Sequence, residues 1–222
     1  MMATYDLEEQ EQLAELKTWW QQYGNRVTSI VLALALGVAA WQGWHWWQQQ
    51  QSLQASVVYS GLQQAAGQKD ARRVKELAGE LIEKYSGTSY AGMGALIAAR
   101  VQVDQGDLKN ARVQLAWAAD HANDAGLRAL ARLRLATVLL DEKAYDEALK
   151  QLAVEPAAPF AARYADVRGD IYVAQGKPAE AVKSYDDALA KIDAAAKAGE
   201  VSRHKAYREL VQTKRDALEA TQ

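Results

Sequence analysis

Residues 162–189 read ARYADVRGDIYVAQGKPAEAVKSYDDAL. Small residues recur at Ala162, Gly169, Ala181 and Ala188, with Tyr172 and Tyr185 among them and Leu189 closing the pattern. Gly176-Lys177-Pro178 interrupts it midway. Glycine supplies the left-handed residue just past a helix end, and proline fits the first position of the helix that follows. The stretch therefore predicts two helices folded back on one another. Gly169 and Ala181 let them approach closely, and the two tyrosines are expected to fill the space between successive repeats.

The same frame extends upstream. From Ala129 it gives Leu135, Ala136, Tyr145, Ala148 and Leu152; from Gly92 it gives Ala99, Gly106, Ala111 and Ala118. Ala111, Ala148 and Ala181 are 37 and 33 residues apart. A helix–turn–helix unit of roughly 34 residues has the tetratricopeptide period. Repeats are predicted over about 92–125, 129–160 and 162–195. Gln105-Gly106-Asp107 reads as a turn with Asp107 capping the next helix. The second repeat has Lys143 where the others have a turn glycine, and Glu155, Pro156 and Pro159 late in its span, so distortion is expected there. A polar break, Ser86-Gly87-Thr88-Ser89, ends an earlier hairpin at 52–86 that reads as degenerate, as terminal repeats often are. An amphipathic helix over 201–218, through Tyr207, Leu210, Val211 and Leu218, is expected to cap the array.

The N-terminal part follows different rules. Residues 27–47, VTSIVLALALGVAAWQGWHWW, carry no charge. Their 21 residues just reach the roughly 20 that a membrane span needs. Trp19, Trp20 and Tyr23 precede the run, and Trp41, Trp44, Trp46 and Trp47 close it. Tryptophan at both ends of one apolar run is the belt of a helix anchored at two interfaces. Lys17 and Arg26 flank the N-terminal side, and the first charge after Trp47 is Lys69. That bias predicts a cytoplasmic N-terminus, residues 1–26, and a domain of residues 48–222 on the far side. Residues 48–68 are uncharged and are expected to continue the anchor helix outward. A cleavable signal is the rival reading, but its n-region should be short and basic, and this one is long and acidic (Asp6, Glu8, Glu9, Glu11, Glu15). Ala35, Ala39 and Gly43 recur every four residues and form a candidate membrane-helix contact.

Composition excludes much chemistry. The chain has 222 residues, no cysteine and a formal charge of −2. Disulfides and thiolate metal sites are ruled out, and no field favours nucleic acid. His45, His121 and His204 have no ligand-spaced partners, and neither a glycine-rich phosphate loop nor a GxSxG elbow occurs. No catalytic, metal or cofactor site is expected. The fold class read here is all-α: a single N-terminal transmembrane helix followed by a tetratricopeptide-like helical-hairpin solenoid. Such an array offers a concave groove lined by the first helix of each pair. Arg100, Asp104, Thr137, Asp141, Asp166 and Asp170 would face it and form a candidate partner groove; ordinary surface charge is the alternative reading of the same residues.

An acidic N-terminus, a Trp-rich single span and a divergent tetratricopeptide domain together resemble the YfgM family, the ancillary subunit of the bacterial SecYEG translocon. The resemblance lies in Tyr90-Ala91 through Arg100, the run LRALARLRL at 127–135, YADVRG at 164–169 followed by Asp170, and Leu210 to Lys214 with Leu218. It implies a single-pass protein of a bacterial inner membrane with its domain in the periplasm. Its implied partners are the SecYEG translocon, a PpiD-like periplasmic chaperone and client polypeptides, with a cytosolic regulator at the N-terminal segment as a family-level expectation. No catalytic residue is implied. The tryptophan-dense end of the span departs from the family pattern. A scaffold of another cell-envelope assembly, or an envelope enzyme, are the competing readings.

Overall fold

The computed structural model describes residues 3–196 and 205–220, with side chains from residue 13 onward except at 15. His204, the first residues (201–204) of the expected capping helix and the side chains of the five N-terminal acids lie outside the described set. Every regular element described is helical: α1 (Ala3–Gly67), α2 (Ala71–Lys84), α3 (Ser89–Asp104), α4 (Leu108–His121), α5 (Ala125–Asp141), α6 (Tyr145–Leu152), α7 (Ala161–Ala174), α8 (Pro178–Ala195) and α9 (Lys205–Glu219), with a 3₁₀ turn at Ala158–Phe160. The chain divides into two units, residues 1–50 and 51–222.

The first unit is helix alone. It contains an apolar stretch long enough to cross a membrane, none of it buried against protein. At 1.5 Å per residue, residues 27–47 extend ~31 Å, the thickness of a hydrocarbon core. Ile30, Leu32, Leu34 and Leu36 are exposed, as are the tryptophans at either end. Thr28 and Ser29 donate their hydroxyls to the carbonyls of Gly24 and Asn25 at 2.7 and 2.8 Å. Those polar groups are thus satisfied within the helix, as an apolar solvent demands. A Cβ built at Gly43 meets nothing within 4 Å, and Ala35 and Ala39 are exposed, so the face of these three small residues is open.

In the second unit the last turns of α1 are the first helix of a hairpin. Ala55, Leu62 and Ala65 pack on Val74, Leu77, Ala78 and Leu81 of α2 and on Ala91 and Ala98 of α3. A central cluster joins α3 to α7 through Leu96, Leu115, Leu135, Leu139, Leu152 and Ile171. A third joins α7, α8 and α9 through Ala165, Ala181, Tyr185, Ile192 and Val211. Each hairpin thus buries its apolar stripe against the next, with each buried Leu or Ile contributing ~1.5–3 kcal/mol. Close approach depends on small residues: a Cβ on Gly94 would stand 2.6 Å from Leu81 Cδ1.

The repeat is most regular at its turns. Lys69, Gly106, Lys143 and Gly176 all take positive φ, at 58°, 77°, 61° and 70°. The residue after each donates its N–H five residues back: Asp70 to Ala65, Asp107 to Gln102, Ala144 to Leu139 and Lys177 to Tyr172, at 2.8–3.0 Å. These are four copies of one Schellman turn. The hairpin that reads as degenerate therefore closes like the others. Its turn is hidden in the sequence because lysine stands where glycine is usual. The distortion expected of the second repeat falls later: α6 is only eight residues long and gives way to the 3₁₀ turn containing Pro159. Tyr185 also departs from expectation, since it packs inside the fourth hairpin against Gly169 rather than between repeats. An L side chain in the left-handed region is strained. Lys143 is exposed, so Lys143→Gly is expected to raise stability by about 0.5 kcal/mol, the relief outweighing the added freedom of the unfolded chain. Thermal melting of the full chain checks this.

Candidate functional site

The six groove residues fall into two environments. Arg100, Asp104, Thr137 and Asp141 sit on α3 and α5 and are all exposed. Arg100 and Asp104 line a concavity of about 730 Å³ together with Gln63, Ile97 and Val101. Arg100 also lines a neighbouring one of about 310 Å³ with Arg134, Thr137 and Asp141, floored by Ala99, Val103, Leu115 and Val138. Thr137 spends its hydroxyl on its own helix, donating to the Leu133 carbonyl at 3.1 Å. These four residues are therefore brought together along one concave face.

Asp166 and Asp170 are not part of that open face, because α9 lies over them. The Lys214 ammonium donates to Asp166 Oδ1 at 2.9 Å and to both Asp170 oxygens at 2.8 Å. Tyr207 donates its hydroxyl to Asp166 Oδ2 at 3.0 Å, and Tyr185 donates to Asp170 Oδ1 at 2.8 Å. Arg163 stands over the Tyr207 ring at 5.3 Å, adding positive charge to a cluster of two carboxylates and one ammonium. Asp166 is 7% exposed. A carboxylate this buried requires partners, and it has found them within its own chain.

The stretch YADVRGD is thereby explained residue by residue. Tyr164, buried, donates to the Ala129 carbonyl of α5 at 2.9 Å. Arg168 donates to the Leu152 carbonyl at 3.0 Å, satisfying the end of the short α6. Gly169 makes room for the Tyr185 ring, and the two aspartates hold α9. The motif joins four elements around α7. Sequence reasoning missed Lys214 and Tyr207 as the partners of those aspartates. A signal was present: Tyr207, Val211, Lys214 and Leu218 fall at helical spacing on one face, so a lysine sits within an apolar stripe.

Electrostatics give this cluster a pH signature. Burial pushes the Tyr185 phenol up, and the hydrogen bond and charge of Asp170 push it further. Tyr207 is raised by burial, then by the Asp166 charge. Tyr164 is raised by burial. For Lys214, burial works to lower the pKa, but hydrogen bonds and charge from Asp166 and Asp170 together overcome it and leave the ammonium above its usual value. All four groups hold their protons more tightly when folded. Their contribution is complete below the unfolded values of about 10 and lost as pH rises through the folded ones. Docking of α9 is thus expected to be insensitive to pH near neutrality and to weaken above about pH 10. In an ultraviolet phenolate titration, three of the ten tyrosines should ionise late and normalise in denaturant.

Hairpins sharing one turn, a concave charged face, and an apolar helix long enough to cross a membrane define a class: helical-repeat scaffolds that carry an apolar N-terminal helix. Residues 17–220 match the family model described as a tetratricopeptide repeat-like domain. The ancillary SecYEG translocon subunit of Neisseria gonorrhoeae is 30% identical over 213 residues, covering 96% of this chain and 98% of the relative. The protein of the same name from Haemophilus influenzae is 32% identical, over 83% of this chain and 90% of its own. That of Escherichia coli is 28% identical over 76% and 81%. The chain belongs to this family of ancillary SecYEG translocon subunits.

Proposed function

We propose that this chain is a non-enzymatic accessory subunit of the Sec translocon in a bacterial inner membrane. α1 crosses the membrane once with residues 1–26 in the cytoplasm, and residues 48–222 stand in the periplasm. There the face of Arg100, Asp104, Thr137 and Asp141 receives a PpiD-like chaperone or client polypeptides as they emerge. Ala35, Ala39 and Gly43 pack on a helix of the translocon. The observation that carries this reading is the likeness to proteins named for the translocon over nearly the whole chain, apolar helix included. Support also comes from the open concave face and from the uncovered small-residue face of the span.

Photo-crosslinking in native membranes tests it, with probes at Ala39 and Thr137. The expected products are a translocon subunit from Ala39 and a periplasmic chaperone or nascent chain from Thr137. Capture of cytosolic proteins alone at Thr137 overturns the topology. Capture of unrelated envelope proteins at both sites replaces the translocon reading with a scaffold of another envelope assembly. Because the chain has no cysteine, single cysteines placed at residues 13 and 137 report sidedness directly by labelling intact cells.

A further inference from the structure

Most arginines in the hairpin array have identifiable work. Arg112 pairs with Glu142 and Glu147. Arg128 donates to the carbonyls of Ala122 and Asn123, Arg132 to that of Ala119, and Arg168 to that of Leu152. Arg163 covers the Tyr207 ring. Arg100 and Arg134 stand apart. Among the described residues Arg100 has no hydrogen-bond or ion-pair partner, and Arg134 reaches only the Leu96 carbonyl at 3.5 Å. Both line the cavity of about 310 Å³ between α3 and α5. Asp141 lines it too, yet it pairs with neither. Partial desolvation, and next the charge of Arg100, lower the Arg134 pKa below the usual guanidinium value. Two like charges held in one concavity, neither of them paired with an acid, work against stability. A bound anion would remove that penalty.

We propose that this cavity recognises an acidic side chain of an incoming polypeptide: Arg100 and Arg134 grip its carboxylate, while an adjacent apolar side chain fills the floor. The inference rests on the groove reading above and names what the groove selects. Guanidinium forks match carboxylates in bidentate geometry, and hydrogen bonds between ions are about twice as strong as neutral ones. Ala99, Val103, Leu115 and Val138 give the cavity an apolar lining, and Asp141 lines it too. That carboxylate and the apolar floor disfavour a phosphate or another compact dianion, whereas a peptide offers a carboxylate, apolar side chains and backbone N–H groups for Asp141 together. At about 310 Å³ the space is at the small end of ligand sites and has room for two or three side chains.

The test uses the full chain in nanodiscs and two fluorescent peptides, acetylated and amidated. One is composed of Leu, Ala and Glu; the other is identical with every Glu replaced by Gln. Empty nanodiscs are the blank. The Glu peptide is expected to bind about tenfold more tightly at low salt, an advantage that shrinks as salt rises. Arg134→Gln should remove most of that advantage, with Arg100 retaining the remainder, and Arg134→Lys should recover only part of the loss. Arg134 is exposed, so these variants are expected to keep their helical circular dichroism. Thr137→Trp, which fills the groove, should weaken both peptides. Equal affinity for the two peptides, lost in Thr137→Trp and unmoved by Arg134→Gln, overturns the arginine grip and leaves the groove standing. Absence of binding by either peptide, or binding untouched by Thr137→Trp, overturns the groove and this inference with it.

Discussion

Replacing Lys214 by methionine will release α9 from the fourth hairpin. The substitution keeps the aliphatic stem and removes the ammonium that three short contacts place between Asp166 and Asp170. Two carboxylates one helical turn apart then face each other across a surface only 7% open at Asp166. Breaking a buried ion pair from one side costs about 3–5 kcal/mol. Lys214 and Asp170 keep roughly 30% of their side-chain exposure, so solvent screening reduces the expected loss to about 2 kcal/mol. The readout is amide hydrogen exchange across α9, which should rise well before that of α3 to α5. Adding Asp166→Asn and Asp170→Asn should restore part of the protection, because the neutral pair no longer repels. Unchanged exchange in Lys214→Met would mean that Val211 and Tyr207 hold α9 by packing alone. It follows that charge reversal at Asp166 and Asp170 tests the fold rather than a partner surface; partner binding is better probed at Arg100, Thr137 and Asp141.

Gly169→Val should be the more damaging change for the array itself. A Cβ at this position would lie 2.6 Å from Tyr185 Cδ1 and 2.9 Å from its Cζ. The ring cannot retreat, because Tyr185 is 2% exposed and its hydroxyl is tied to Asp170. Overpacking a well-filled core costs about 1–3 kcal/mol, and a branched side chain here should reach the upper end. α7 and α8 would be forced apart, and α9 would lose both its tyrosine platform and its aspartates. The expected result is a drop of about 3 kcal/mol, or several degrees in the melting temperature of the full chain. Gly169→Ala should fall between the two. Combining Gly169→Val with Tyr185→Ala should recover part of the loss, since the added methyls then occupy the space the ring vacates. Additive losses would show that the clash is not the cause.

These two expectations describe how the array ends. Repeat arrays need a terminal element with a polar outer face, because the last hairpin otherwise leaves its apolar stripe in water. Here α9 supplies it. Val211 is buried on the third cluster, while Glu209, Leu210 and Thr213 face solvent. Counted back from the turns, Asp170 stands where Arg100 and Thr137 stand on α3 and α5, whereas Asp166 stands where Leu96 and Leu133 are buried, and the cap consumes both aspartates. The concave face left uncovered is therefore the stretch lined by α3 and α5, where Arg100 and Arg134 have no ion-pair partner among the described residues.

Sequence alone determined what is local. An uncharged run of 21 residues between tryptophan clusters marks a helix apolar and long enough to cross a membrane without reference to anything else in the chain. Gly106 and Gly176 announce their turns because only glycine enters the left-handed region freely, and Asp107 announces a cap that does accept from the Asn110 N–H at 3.2 Å. Lys69 and Lys143 take the same conformation under compulsion from the helices on either side, so the turn at Lys143 was legible only through the repeat register and the one at Lys69 only in the structure. The tertiary structure alone decided which charges are surface and which are core. Asp166 and Asp170 read as groove residues or ordinary surface charge until Lys214, 48 and 44 residues away, is seen to lie on them. Arg134 reads as one charge in the run at 128–134 until the packing of α3 on α5 sets it beside Arg100 in one cavity. Helical periodicity assigns a residue to a face of its own helix, but what that face meets depends on contacts between helices that no local pattern encodes.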